Sequence, residues 1–85
     1  MVEIKIGSKV LISLVTYFWV GEIEHIDENY IYLKDASWVA DTGKFDQAVS
    51  SGELDEVEHV GEATIARAAV VDAVTWKHVL PVPTK

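Results

Sequence analysis

Trp19-Val20-Gly21-Glu22-Ile23-Glu24-His25-Ile26-Asp27, a Glu28-Asn29 step, then Tyr30-Ile31-Tyr32-Leu33-Lys34-Asp35-Ala36 is the stretch on which the fold turns. Its second half alternates cleanly, with Ile31 and Leu33 on one side and Tyr30, Tyr32 and Lys34 on the other. That is the two-residue period of a half-buried strand. The first half alternates too, Gly21 and Ile23 opposing Glu22 and Glu24, until Ile26 falls on the glutamates' face. Such a slip of phase predicts a β-bulge or sharp bend, the device by which small barrels curl. Asp27-Glu28-Asn29 between the two halves is turn chemistry, because short side-chain oxygens accept from nearby backbone N–H groups.

The neighbouring segments read in the same terms. Val2, Ile4 and Ile6 alternate with Glu3 and Lys5, predicting a short strand that Gly7-Ser8 ends. Residues 9–15, rich in β-branched residues and leucine, read as the next strand, and residues 16–18 as a tight connection. The strand from Tyr30 runs on to residue 39. From residue 41 to about 60 the pattern is lost. Asp41 or Thr42 is expected to cap one or two helical turns through Phe45 and Val49, closed by Ser50-Ser51-Gly52. Residues 53–58 follow as a solvated acidic loop. Over residues 62–76 the alanines permit a helix, whereas three valines, one isoleucine and two threonines favour strands. Pro81-Val82-Pro83 ends regular structure. Five or six short strands cannot fill a sandwich in 85 residues, so a small, strongly bent barrel is the economical architecture.

An 85-residue chain makes one domain, residues 1–85. A chain of this size buries only about 60% of its unfolded surface and is marginal without reinforcement. It has no cysteine, so neither disulfides nor thiolate-bound metals provide that reinforcement. Association of copies is the remaining device, and an apolar content of 49% is enough for an interface as well as a core. No run of about 18 apolar residues is present, so no membrane span is expected. Residues 1–6 do not read as a charged region followed by an apolar one, and a cytoplasmic location is the expectation. The net charge of −7 argues against a broad cationic surface for nucleic acid. Yet half of the fourteen acids lie in residues 41–62 against Lys44 alone, so the rest of the chain is close to neutral.

The sequence from Trp19 to Ala36, with Gly21, Asp27, Ile31, Leu33 and Asp35-Ala36, resembles the first half of the Sm and Sm-like RNA-binding fold. Ala66-Arg67-Ala68-Ala69-Val70-Val71-Asp72-Ala73-Val74 is similar to the second half, Arg67 falling on the arginine of the family's Ile-Arg-Gly motif. Residues 38–45, Trp-Val-Ala-Asp-Thr-Gly-Lys-Phe, look like a phage-related Sm-like group known mostly from marine metagenomes. The resemblance implies an all-β fold, a five-stranded antiparallel Sm-like barrel with an acidic, partly helical insert before strand four. It implies two short strands broken near residues 68–70, and a homo-oligomeric ring in which each copy extends its neighbour's sheet edge. It further implies non-catalytic binding of single-stranded RNA, or DNA, by loops at the pore. An aromatic residue there stacks on a base and the arginine contacts base or phosphate. Ala68 replaces the motif glycine, and the loop after Asp27 is one residue short, so Tyr30 takes the place of the family's asparagine while Asn29 sits earlier.

Asn29, Tyr30 and Arg67 are therefore the nucleic-acid candidates, set against a surface tyrosine, a turn asparagine and an ion-paired arginine as the structural alternative. Trp19, Trp38 and Trp76, with Tyr17, Phe18 and Tyr32, could line a binding groove, but core or subunit interface is the commoner place for such residues and the interface is favoured. Asp41-Thr42-Gly43 matches the aspartic protease triplet, but Lys44 follows where a small residue belongs, so a turn or helix cap is expected and no enzyme. His25, His59 and His78 lack metal-ligand spacing, and residues 53–58 lack a calcium-loop pattern. No metal or cofactor is expected. A protein-binding or virion-associated ring scaffold that touches no nucleic acid is the alternative function.

Overall fold

The two alternating stretches pair as an antiparallel hairpin in the computed structural model, which describes residues 5–82. Five strands are present: β1 (Lys9–Ser13), β2 (Phe18–Ile26), β3 (Tyr30–Asp41), β4 (Glu56–Ala66) and β5 (Asp72–Thr75). Helix α1 (Phe45–Ser51) lies between β3 and β4, and a 3-10 turn (Arg67–Ala69) between β4 and β5. All pairings are antiparallel and the sheet order is β4-β3-β2-β1-β5. Among the described residues β4 and β5 each pair on one side only, so the sheet is open. No helix among them is long and apolar enough to cross a membrane.

Four irregularities interrupt the strand register, one at Ala40 between the pairs Val39–Val57 and Asp41–Glu56, and three further along the sheet. Ile23 faces Leu33 and His25 faces Tyr32, which leaves Glu24 as an extra residue on β2. This is the phase slip expected from Ile26: past Glu24, His25 turns outward and Ile26 packs on the core. On β3, Asp35 adopts φ 50° and lies between the pairs Lys34–Glu62 and Ala36–Gly61. On β4, Val60 is extruded between the pairs Ser37–His59 and Ala36–Gly61, with Gly61 at φ 104°. Gly21 lies beneath the β3 bulge, where a Cβ would stand 3.2 Å from both Ala36 Cα and the Lys34 carbonyl oxygen. The missing side chain is what permits that close approach.

Both sheet faces carry a core. Val10, Ile12, Ile23, Ile31, Leu33, Ala36 and Ile65 bury one face. Leu11, Val20, Val39 and Trp76 bury the other, joined by Val49 of α1, Leu54, Val57 and Leu80. The segment after β5 lies over this second face and is pinned there by polar contacts. The Trp76 N–H donates to the Lys9 carbonyl (2.9 Å), Lys9 Nζ to the His78 carbonyl (2.6 Å) and Ser37 Oγ to the Pro81 carbonyl (3.1 Å). Trp76, expected at an interface, is instead 1% exposed within its own chain. Its indole is the largest of the fully buried side chains.

Several boundaries differ from expectation. β1 ends at Ser13 rather than residue 15, because the Leu14 N–H closes the connection onto the Tyr17 carbonyl at 2.9 Å. Of the strand expected over residues 2–6, residues 2–4 lie outside the described residues, and Ile6-Gly7 form a turn. The acidic loop stops at Asp55: Glu56 and Glu58 belong to β4, which begins six residues earlier than residue 62. Val57 pairs with Val39 against the second core, and the bulge at Val60 hides this strand's period in the sequence. Residues 62–76 resolve as strand, 3-10 turn and strand, as the resemblance implied. α1 is closed by Gly52 at φ 82°, but Lys44 occupies its N-cap without a side-chain bond. Asp41 Oδ1 instead accepts from the Gly43 N–H at 2.8 Å, a turn rather than a helix cap.

Candidate nucleic-acid interface

The β2–β3 turn is organised by one carboxylate. Asp27 Oδ1 accepts from the backbone N–H groups of Asn29 (2.9 Å) and Tyr30 (2.7 Å), and Oδ2 accepts from the Tyr32 hydroxyl (2.9 Å). The Asp27 N–H donates to the Tyr30 carbonyl at 3.0 Å, closing the turn. Backbone donation from Asn29 and Tyr30, then the Tyr32 hydroxyl, holds the Asp27 carboxyl below its ordinary 3.8, nearby His25 adding to the effect. The same bond raises Tyr32 above its ordinary 10.0.

Arg67 reaches this turn from the far end of β4. Its N–H donates to the Asn29 carbonyl and its Nη1 to the Asp27 carbonyl, both at 2.9 Å. Tyr30 stands opposite Ala66 in the β3–β4 register. The three sequence-predicted residues therefore meet at one end of the sheet although Arg67 is forty positions beyond Asp27. Asn29 and Arg67 are exposed and Tyr30 is 44% exposed. Among the described residues no acid pairs with Arg67; its side-chain bond is to a carbonyl, and a guanidinium carries five donors. Asn29 contributes its backbone to the turn and to Arg67.

Two further residues, Tyr32 and His25, adjoin the site, and of these only Tyr32 stands among the aromatics that could line a groove. Tyr32 lies 5.3 Å from His25 and 6.3 Å from Tyr30, ring centroid to centroid, with tilts of 39° and 54°. Tyr32 faces outward as its alternation indicated. His25 carried no such signal, since only the bulge at Glu24 places it opposite Tyr32. The surrounding charge is mixed, with Glu24 and Glu28 exposed nearby and Lys34 paired to Glu22 at 3.4 Å.

Elsewhere, an open polar cavity of about 300 Å³ lies beside α1, lined by Lys44, Gln47, Ser51, Glu53 and Asp55 among others. Among the described residues no group of three His, Cys, Asp or Glu side chains is placed to hold a metal ion. No protein-family model matches the chain, and no curated protein matches it.

Proposed function

We propose that this chain is an Sm-like protein of a phage-related branch, acting in the cytoplasm of a host cell as a non-catalytic, ring-forming binder of single-stranded RNA. The observation that carries the reading is the pair of bonds from Arg67 to the carbonyls of Asp27 and Asn29. They join the two motifs that resemble the Sm halves into one exposed site. Tyr30 offers an aromatic face on which a base stacks, worth about 1–3 kcal/mol, and the guanidinium offers its remaining donors to phosphate. The outer edges of β4 and β5, unpaired among the described residues, support ring formation, because a neighbouring copy that pairs with them satisfies backbone groups otherwise left to water. Curling of the bulged sheet into a closed barrel belongs to the same proposal.

Filter binding to U-rich and A-rich oligonucleotides at low salt tests it, alongside native mass spectrometry for a ring. Retention that falls with Arg67→Ala supports the reading, with a shallow salt dependence of about −0.7 per phosphate contacted. Absence of retention by a well-folded ring favours the protein-binding alternative, for which the exposed Glu24 and Glu28 beside the site speak.

A further inference from the structure

We propose that the outward face formed by Tyr30, Tyr32 and His25 is a stacking track, on which a second unpaired RNA base lies next to the one on Tyr30. This rests on the RNA reading above. Three observations carry it. The rings are contiguous, Tyr30 to Tyr32 at 6.3 Å and Tyr32 to His25 at 5.3 Å, running from the turn along the sheet. Their neighbours across β4 are small: Ala66 stands opposite Tyr30 and Thr64 opposite Tyr32, both exposed, so no long side chain of that strand roofs the track. Finally, the bulge at Glu24 turns His25 out of the core and sets it opposite Tyr32. Without that extra residue the imidazole follows Ile23 inward. Bulges commonly re-aim a side chain at a functional surface.

The chemistry fits consecutive bases rather than a phosphate string. Tyr32 is immobilised by its bond to Asp27, so its ring is presented at little entropic cost. Glu24, next to His25 in the strand, and Glu28, in the turn before Tyr30, are both exposed, and their charges disfavour phosphate and leave base faces as the groups the track receives.

Fluorescence anisotropy titration of an A-rich RNA hexamer against the assembled protein decides the matter, using wild type, His25→Ala, His25→Phe and Arg67→Ala. His25 is exposed, and among the described residues its ring packs against no aromatic ring but that of Tyr32, so its replacement is expected to leave the fold intact. His25→Ala is expected to weaken binding about ten-fold, and His25→Phe, which restores a stacking face, to recover most of it. An unchanged affinity in His25→Ala, with binding still lost in Arg67→Ala, overturns the track and leaves the RNA reading standing. Wild-type protein that binds no hexamer overturns both.

Discussion

The Tyr32 hydroxyl donates to Asp27 Oδ2 at 2.9 Å, and the same carboxylate holds the turn that Arg67 grips. This pair links sheet and loop through two groups that titrate at opposite ends of the pH scale. Asp27 is lowered from 3.8, so its contribution is complete above that value and is lost as pH falls through the folded-state value. Tyr32 is raised from 10.0, so its contribution is complete below that value and is lost as pH rises through the folded-state value. The stability difference between wild type and Tyr32→Phe is expected to be constant between those limits and to shrink on both flanks. Urea unfolding of both proteins across the range measures it, and a difference that grows at either extreme contradicts the assignment.

Gly21→Ala is expected to destabilise the protein by about 1–3 kcal/mol. Its Cβ would meet Ala36 Cα and the Lys34 oxygen at 3.2 Å and Leu33 Cβ at 3.3 Å. Two of those atoms are backbone within the β3 bulge, which cannot yield without disturbing the ladder. Thermal unfolding reads the effect as a Tm drop of roughly 4–8 °C per kcal/mol.

A Cβ on Gly52 would stand 2.7 Å from His78 Cγ, and Gly52 itself is at φ 82°. His78 cannot step aside freely, because its Nε2–H donates to the Val49 carbonyl at the end of α1 (2.7 Å) and its ring packs edge-on against Trp76 at 5.0 Å. Gly52→Ala is therefore expected to cost more in wild type than in a His78→Ala background. A double-mutant cycle gives the coupling, expected at about 0.5–2 kcal/mol. Strict additivity would show that backbone strain alone sets the cost.

Trp76→Ala is expected to cost about 3–5 kcal/mol, a large part of the stability of a small domain. The indole is 1% exposed against Leu11, Val20 and Val39, and its removal also loosens the segment that Lys9 and Ser37 pin. Denaturant unfolding measures the loss. A cost below about 1 kcal/mol would place Trp76 at the surface.

The hairpin of β2 and β3, the turn at Asp27 and the Gly52 stop were legible in the residues, because period and turn chemistry act over a few positions. So was a break near residues 68–70, through its resemblance to a known motif. The onset of β4 was not legible. Its period is interrupted by the extruded Val60, and its glutamates suit an edge strand as well as a loop. Nor was the second core, which is assembled from α1, Leu54 and the segment after β5, pieces whose apolar residues follow no single period.

By itself the sequence determined the local grammar: where chain alternates, where it turns, and that Asn29, Tyr30 and Arg67 were worth watching. Only the tertiary structure decided that Arg67 meets the Asp27 turn and that His25 joins Tyr32 on the outer face. The physical reason is register. Strand pairing between distant segments, and the single extra residue at Glu24, set which side chains share a surface, and neither is written within a window of a few residues.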